Sequence, residues 1–273
     1  MPPSRQHDQL PPSLTSLGAE LLVTTAAQRR LALIRPFVGL IAYALAAHAE
    51  WWWLTPFIVF LIFVAVVTVT HDVVHGSLGL TSRQTDWALF VLGAALLESG
   101  HAYRTTHTRH HAVFPRPDDP EGDPARMSFW RAVLYGPIFL PRLWCWAYAR
   151  QRGNTRERLW LAAEATWPLV FVLIAIIARN QTAAFLVYAA LAVIGSWVYP
   201  LLTVHLPHRN YGDTPVTQTH TLRGRIIPAL FLELTYHLEH RLYPHVPSHH
   251  LPELSRRLEP FFDKAGVQPR RVP

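Results

Sequence analysis

The sequence predicts an all-α, polytopic membrane protein with about four transmembrane helices arranged as two hairpins. Half of its 273 residues are hydrophobic and only 16% are charged. The apolar residues gather into runs of the length a bilayer requires and a soluble core does not. The basic residues are sorted to one side of those runs, as cytoplasmic segments of membrane proteins are.

Residues 1–30 are rich in Pro, Ser and Thr and lack the continuous apolar core of a signal peptide, so a flexible N-terminal arm is expected. Two spans follow, Arg35 to His48 and Trp51 to Thr70, separated by the polar break His48-Ala49-Glu50. The cluster Trp51-Trp52-Trp53 suits the water interface, where amphipathic rings accumulate. Trp87 to Leu97 is apolar but about half a span long, which predicts a re-entrant, interfacial or packed helix. The second hairpin is Leu159 to Ala178 and Ala183 to Val204, joined by Arg179-Asn180-Gln181-Thr182. Residues 31–260 are expected to form one membrane domain and 261–273 a C-terminal tail.

Of the 25 Lys and Arg residues, only Arg179 falls in a link on the far side. The arm, the stretch Arg83 to Arg158 and the segment from Arg209 onward are therefore expected to be cytoplasmic. A net charge of +7 invites nucleic-acid binding, but no interleaving of basic and aromatic residues outside the membrane flanks supports it. The charge reads as topology and contact with anionic head groups, or as a docking face for an acidic electron carrier. The single cysteine, Cys145, excludes an intramolecular disulfide and a cysteine-based metal or iron–sulfur site.

Most of the sixteen histidines fall in three short clusters: HDVVH at 71–75, HTRHH at 107–111 and HLEH at 237–240. His71 and His75, four apart, share one face of a continuing helix; His107, His110 and His111 likewise project together. One such pair is weak evidence, since a lone histidine on an apolar face is more often a core residue. Three clusters at ligand spacing, all beside membrane segments on one predicted side, point to metal. Seven imidazoles exceed the needs of one four-coordinate zinc and favour two metals, although imidazole alone does not choose among Zn, Cu, Fe and Ni. His205 and His208 in VHLPHRN could swing toward the site, whereas His245, His249 and His250 are expected to be interfacial. Asp72 is read either as orienting His71 or a neighbour or as solvated. Asp118, Asp119, Glu121 and Asp123 lie in the turn-rich loop PRPDDPEGDP, where solvation is the expectation.

The order HDVVH, HTRHH, YHLEHRLYPHVPSHHLPEL, placed around two hairpins over residues 37–258, resembles the membrane fatty-acid desaturase and hydroxylase superfamily. Within it, the short chain, GHAYRTTHTRHH and LPHR look more like bacterial carotenoid hydroxylases and ketolases than like the longer acyl desaturases. The resemblance implies two non-haem irons held by His71, His75, His107, His110, His111, His237 and His240. To these it adds a histidine before the third box, best matched by His208 and next by His205. It implies no catalytic residue beyond the ligands, dioxygen as co-substrate, a lipid or carotenoid substrate, and electrons from a separate ferredoxin and its reductase. It also implies a multi-pass protein of the bacterial inner membrane with the metal site on the cytoplasmic side. The alternatives are a fatty-acyl lipid desaturase and an inactive, desaturase-like lipid-binding or partner subunit.

The last alternative is motivated by Arg241. The usual third box is HxxHH and this chain has HxxHR; arginine offers a cation no lone pair. His205, His208, Glu239 and His245 are the candidates to replace the missing ligand.

Overall fold

The structure, a computed structural model, describes residues 10–273. Four helices are long and apolar enough to cross a membrane: Ala26–His48, Trp52–Val74, Thr155–Ala178 and Ala184–His208. We call the first α1, the α-helical part of the second α2 (Thr55–Val74), the third α6 and the regular part of the fourth α7 (Ala184–Ser196). Between the hairpins run α3 (Ser82–Leu96), α4 (Gly100–Val113) and α5 (Phe129–Arg150). After the fourth span come α8 (His237–Leu242) and α9 (Leu251–Ala265).

The second span is the central one. Of its most apolar stretch 72% is buried, against 22%, 17% and 33% for the first, third and fourth. On α1 the side chains of Leu31, Ile34, Val38, Ile41 and Leu45 are exposed. Their spacing of three and four residues makes one stripe along the helix, the face such a span turns to lipid. The ends of the elements are written locally. Thr25 with Gln28, and Thr81 with Gln84, form reciprocal capping boxes that start α1 and α3. The half-length apolar run foreseen at 87–97 is the body of α3, packed against α2, α4 and α6.

Three features depart from the sequence expectation. Residues 1–9 of the expected arm lie outside the described residues and Leu10 is exposed, but further along the arm Leu17 and Leu21 join Leu251, Leu254 and Leu258 in one apolar cluster. The apolar spacing of Leu14, Leu17 and Leu21 explains this, since it gives a short segment a single face to bury. The expected boundary at 260/261 cuts through α9, and the last residues are tied back by parallel pairing of β2 (Arg270–Arg271) with β1 (Leu222–Arg223). Finally, α5 was not foreseen as a helix, because Pro137, Pro141 and Arg142 interrupt its apolar pattern.

Helix α5 lies close to the fourth span at Gly136. A Cβ built there would sit 1.9 Å from the carbonyl oxygen of Trp197. Gly136→Ala must push the two backbones apart and is expected to destabilise the protein by roughly 1–3 kcal/mol, the usual cost of overpacking. Thermal unfolding in detergent should show a lowered Tm for it and no change for Gly153→Ala, where a Cβ meets nothing within 4 Å.

Candidate metal centre

The three histidine clusters converge, carried by the C-terminal end of α2, by α4 and by α8. Five imidazoles, from His71, His75, His107, His111 and His240, place one ring nitrogen each within 4.8 Å of one another. Within this group Nε2 of His111 is 3.2 Å from Nε2 of His107 and 3.1 Å from Nε2 of His240. A second group stands beside it: Nε2 of His208 is 3.3 Å from Nε2 of His110 and 2.9 Å from Nε2 of His237. Two nitrogens bound at about 2.1 Å to one ion at right angles lie about 3 Å apart, so these separations are those of neighbouring ligands.

Helix geometry explains the division. On α4, His107 and His111 are one turn apart and share a face, while His110 is rotated off it and serves the second group. His208 reaches that group because the fourth span ends in a π-helical turn, Pro200–His205, whose wider winding shifts the face shown by the residues beyond it.

The outer nitrogens are held as metal-binding imidazoles require. Nδ1 of His110 is 2.7 Å from Asp119, Nδ1 of His107 is 3.1 Å from Glu121, and Nδ1 of His208 donates to the carbonyl of Gln218 at 2.9 Å. A proton fixed on Nδ1 leaves the Nε2 lone pair free and aimed inward. Burial holds the imidazoles outside the spans below the usual histidine range, His75 at about 4 and His237 at about 3, so they stay neutral. Nε2 of His75 is buried with no protein partner. Together these features fit a cation.

Asp119 and Glu121 correct the solvated reading of their loop. They are 3% and 4% exposed, and the loop folds back so that Asp119 also accepts from the backbone N–H of Glu121 at 2.9 Å. Only Asp118 and Asp123 behave as surface residues, paired with Arg109 and with Arg142. Asp72 is neither solvated nor on His71: its Oδ1 accepts from the backbone N–H and the hydroxyl of Ser248 at 2.9 and 2.8 Å. Thr106 supports Glu121 through a 2.6 Å hydrogen bond.

The remaining candidates lie elsewhere. Nδ1 of His205 donates to the carbonyl of Pro124 at 2.9 Å. The Glu239 carboxylate is buried but accepts from Thr221 and Ser255, both at 2.5 Å. His245 donates to the His75 carbonyl, and His250 to that of Val23; His249 packs on His250. Arg241 sits beside the second group with its guanidinium aimed at the carbonyls of His110 and Phe114 and at Gln218, each at 3.4 Å. The second group therefore has three imidazoles where the first has five.

One buried network was not read from the sequence. Ser99 and His101 hold Glu164 of α6 at 2.5 and 2.7 Å, His101 stacks on Trp160, and Arg104 bridges Asp86 and Glu157. It pins α4, and with it the second histidine cluster, to α3 and α6.

A four-span helical membrane protein with an interior, histidine-lined metal centre is thus defined by the fold and the site. The fatty acid desaturase family model matches residues 49–272, most of the chain, and the chain belongs to that family. No curated protein matches it. The family makes it a membrane oxidoreductase, and the histidine cluster suits non-haem iron.

Asp119→Ala and Glu121→Ala are each expected to weaken metal binding about 10–100-fold, measured as iron retained after dialysis against a chelator. The lowered histidine values set the pH dependence. Protons compete with metal only near and below the pKa, so iron retention should be flat from about pH 8 to about pH 5 and fall toward about pH 4.

Proposed function

We propose that the protein is an oxygen-dependent hydroxylase or ketolase that oxidises an unactivated C–H bond of a neutral lipid, a carotenoid in the first instance. The observation that carries this reading is the cavity beneath the histidines. His71, His107, His110, His237 and His240 line one end, and Phe63, Val67, Leu202, Phe231 and Leu234 are among the apolar residues that line the rest. Among the described residues no Lys or Arg lines it, so nothing there selects a carboxylate or phosphate, whereas the apolar lining suits a hydrocarbon.

On this reading His71, His75, His107, His111 and His240 hold one iron, and His110, His208 and His237 hold the other. The irons supply the reduction of dioxygen and the removal of hydrogen from carbon. The chain's own residues keep the imidazoles neutral, fix the proton of His107, His110 and His208 on Nδ1 and exclude water. Electrons come from an external donor such as ferredoxin, served by its reductase, for which exposed Arg131, Arg150 and Arg152 offer a basic approach. The excess of basic residues beside the centre favours a cytoplasmic location for it.

The family itself favours a second reading, desaturation of a lipid acyl chain. Expression in a carotene-producing host separates the two. Hydroxylated or keto pigments are expected; an unchanged pigment profile beside newly unsaturated acyl chains overturns the carotenoid reading. The purified chain should retain iron, whereas an inactive scaffold would hold none, and His71→Ala or His110→Ala should lower both iron and product. Arg241→His adds an imidazole to the group of three and removes a cation beside it. Its expected outcome is more iron retained per chain, measured by elemental analysis.

A further inference from the structure

A second cavity, of about 340 Å³, lies deeper between the helices, walled by α2, α5, α6, the fourth span and the turn from α3 to α4. Val67, Tyr103 and Tyr199 line both this cavity and the one under the histidines. The two spaces are therefore neighbours, separated in part by these three side chains.

The second cavity is mostly apolar, yet two of its lining residues carry polar side chains that are unpaired among the described residues. The Glu98 carboxyl lines it and makes no hydrogen bond or ion pair among the described residues. Burial pushes this carboxyl up to about 8, where it is a neutral donor and acceptor. Thr70, which also lines the cavity, has a buried hydroxyl oxygen with no partner among the described residues. Leaving such groups unpaired in an apolar interior costs stability that a ligand's polar atom recovers. The neighbouring Glu164 is spoken for by Ser99 and His101.

We infer that this cavity receives a neutral oxygen function, a hydroxyl or carbonyl, carried by the lipid substrate away from the carbon presented to the histidines, with Glu98 and Thr70 as its hydrogen-bonding partners. Among the described residues no Lys or Arg lines the cavity, so nothing in it offsets the charge of a carboxylate or phosphate. An unsubstituted hydrocarbon leaves both groups unpaired. The substrate this favours over the hydrocarbon itself is a long, neutral lipid that already carries an oxygen, such as the product of a first oxidation of that hydrocarbon. The inference rests on the histidine-lined cavity being the reaction chamber and gives that chamber its specificity determinant.

The test is photolabelling of the full chain in phosphatidylcholine nanodiscs with three diazirine probes of equal length: a fatty alcohol, an alkane and a fatty acid held ionised. Labelled peptides containing Trp144 or Trp197, both on the cavity wall, are quantified by mass spectrometry. The alcohol is expected to label them at least several-fold more than either other probe. Glu98→Leu should reduce alcohol labelling by about ten-fold and Thr70→Val by a few-fold, the scale of one lost hydrogen bond each. Glu98→Gln, which keeps a neutral donor and acceptor of the same shape, should stay near the unaltered chain. Equal labelling by alcohol and alkane, or alcohol labelling that Thr70→Val and Glu98→Leu leave unchanged, overturns the inference. Should Glu98→Leu fail to fold, Thr70→Val and the comparison of probes decide alone. Labelling needs neither iron nor turnover. Selective labelling without oxidised product would therefore refute the catalytic reading while leaving the subsite standing, and oxidised product without selective labelling would do the reverse.

Discussion

Eight uncharged imidazoles must be crowded around a small volume in the protein interior with their lone pairs facing one another, and the rest of the structure depends on meeting that demand. Lone pairs at about 3 Å repel unless a proton or a cation lies between them. Protonation is closed off by burial. What remains is to hold the rings against rotation, which Asp119, Glu121 and the Gln218 carbonyl do from the outside for His110, His107 and His208. Because these acceptors come from a loop and from a segment beyond the fourth span, the centre is braced by parts of the chain that carry no ligand themselves.

The same demand accounts for the irregularities of the fold. A regular α-helix through Pro200–His205 would turn His208 to another face, and the π-helical winding there spends regular hydrogen bonding on aiming one side chain. The buried Asp86, Glu164 and Arg104 network serves a similar end, since charged groups in such a position are tolerated only when fully paired and then fix one geometry. Arg241 belongs to this economy in a different way. Its guanidinium is engaged with backbone carbonyls of the very helix that supplies His107, His110 and His111, so it touches the scaffold of the centre although it cannot be a ligand.

Legibility in the sequence followed the range over which each feature is encoded. The four spans were readable because bilayer thickness imposes a length on a contiguous run, and the His71/His75 and His107/His111 pairs because one helical turn imposes a spacing. The residues left His205 and His208 equal as candidates and only the resemblance preferred His208, since nothing in VHLPHRN reveals a π-helical turn. Asp119 and Glu121 were misread as solvated: acidic residues among prolines look the same whether the loop stays in water or folds back on a helix, and the difference lies in partners nine and fourteen residues away. The packing of Leu17 and Leu21 on α9 was hidden for the same reason, being settled by residues from the far end of the chain.

The clasp between Asp72 and Ser248 joins the end of the second span to a residue made 176 positions later. A ribosome delivers the chain in order, and domains close as their parts emerge. The membrane hairpins, His71 through His111 among them, are therefore in place well before His237, His240 and Ser248 exist. Through that interval the half-built centre is an open bowl of neutral imidazoles facing the aqueous side. Metal has a natural moment to enter then, before the last helices swing in and the clasp shuts the bowl behind it.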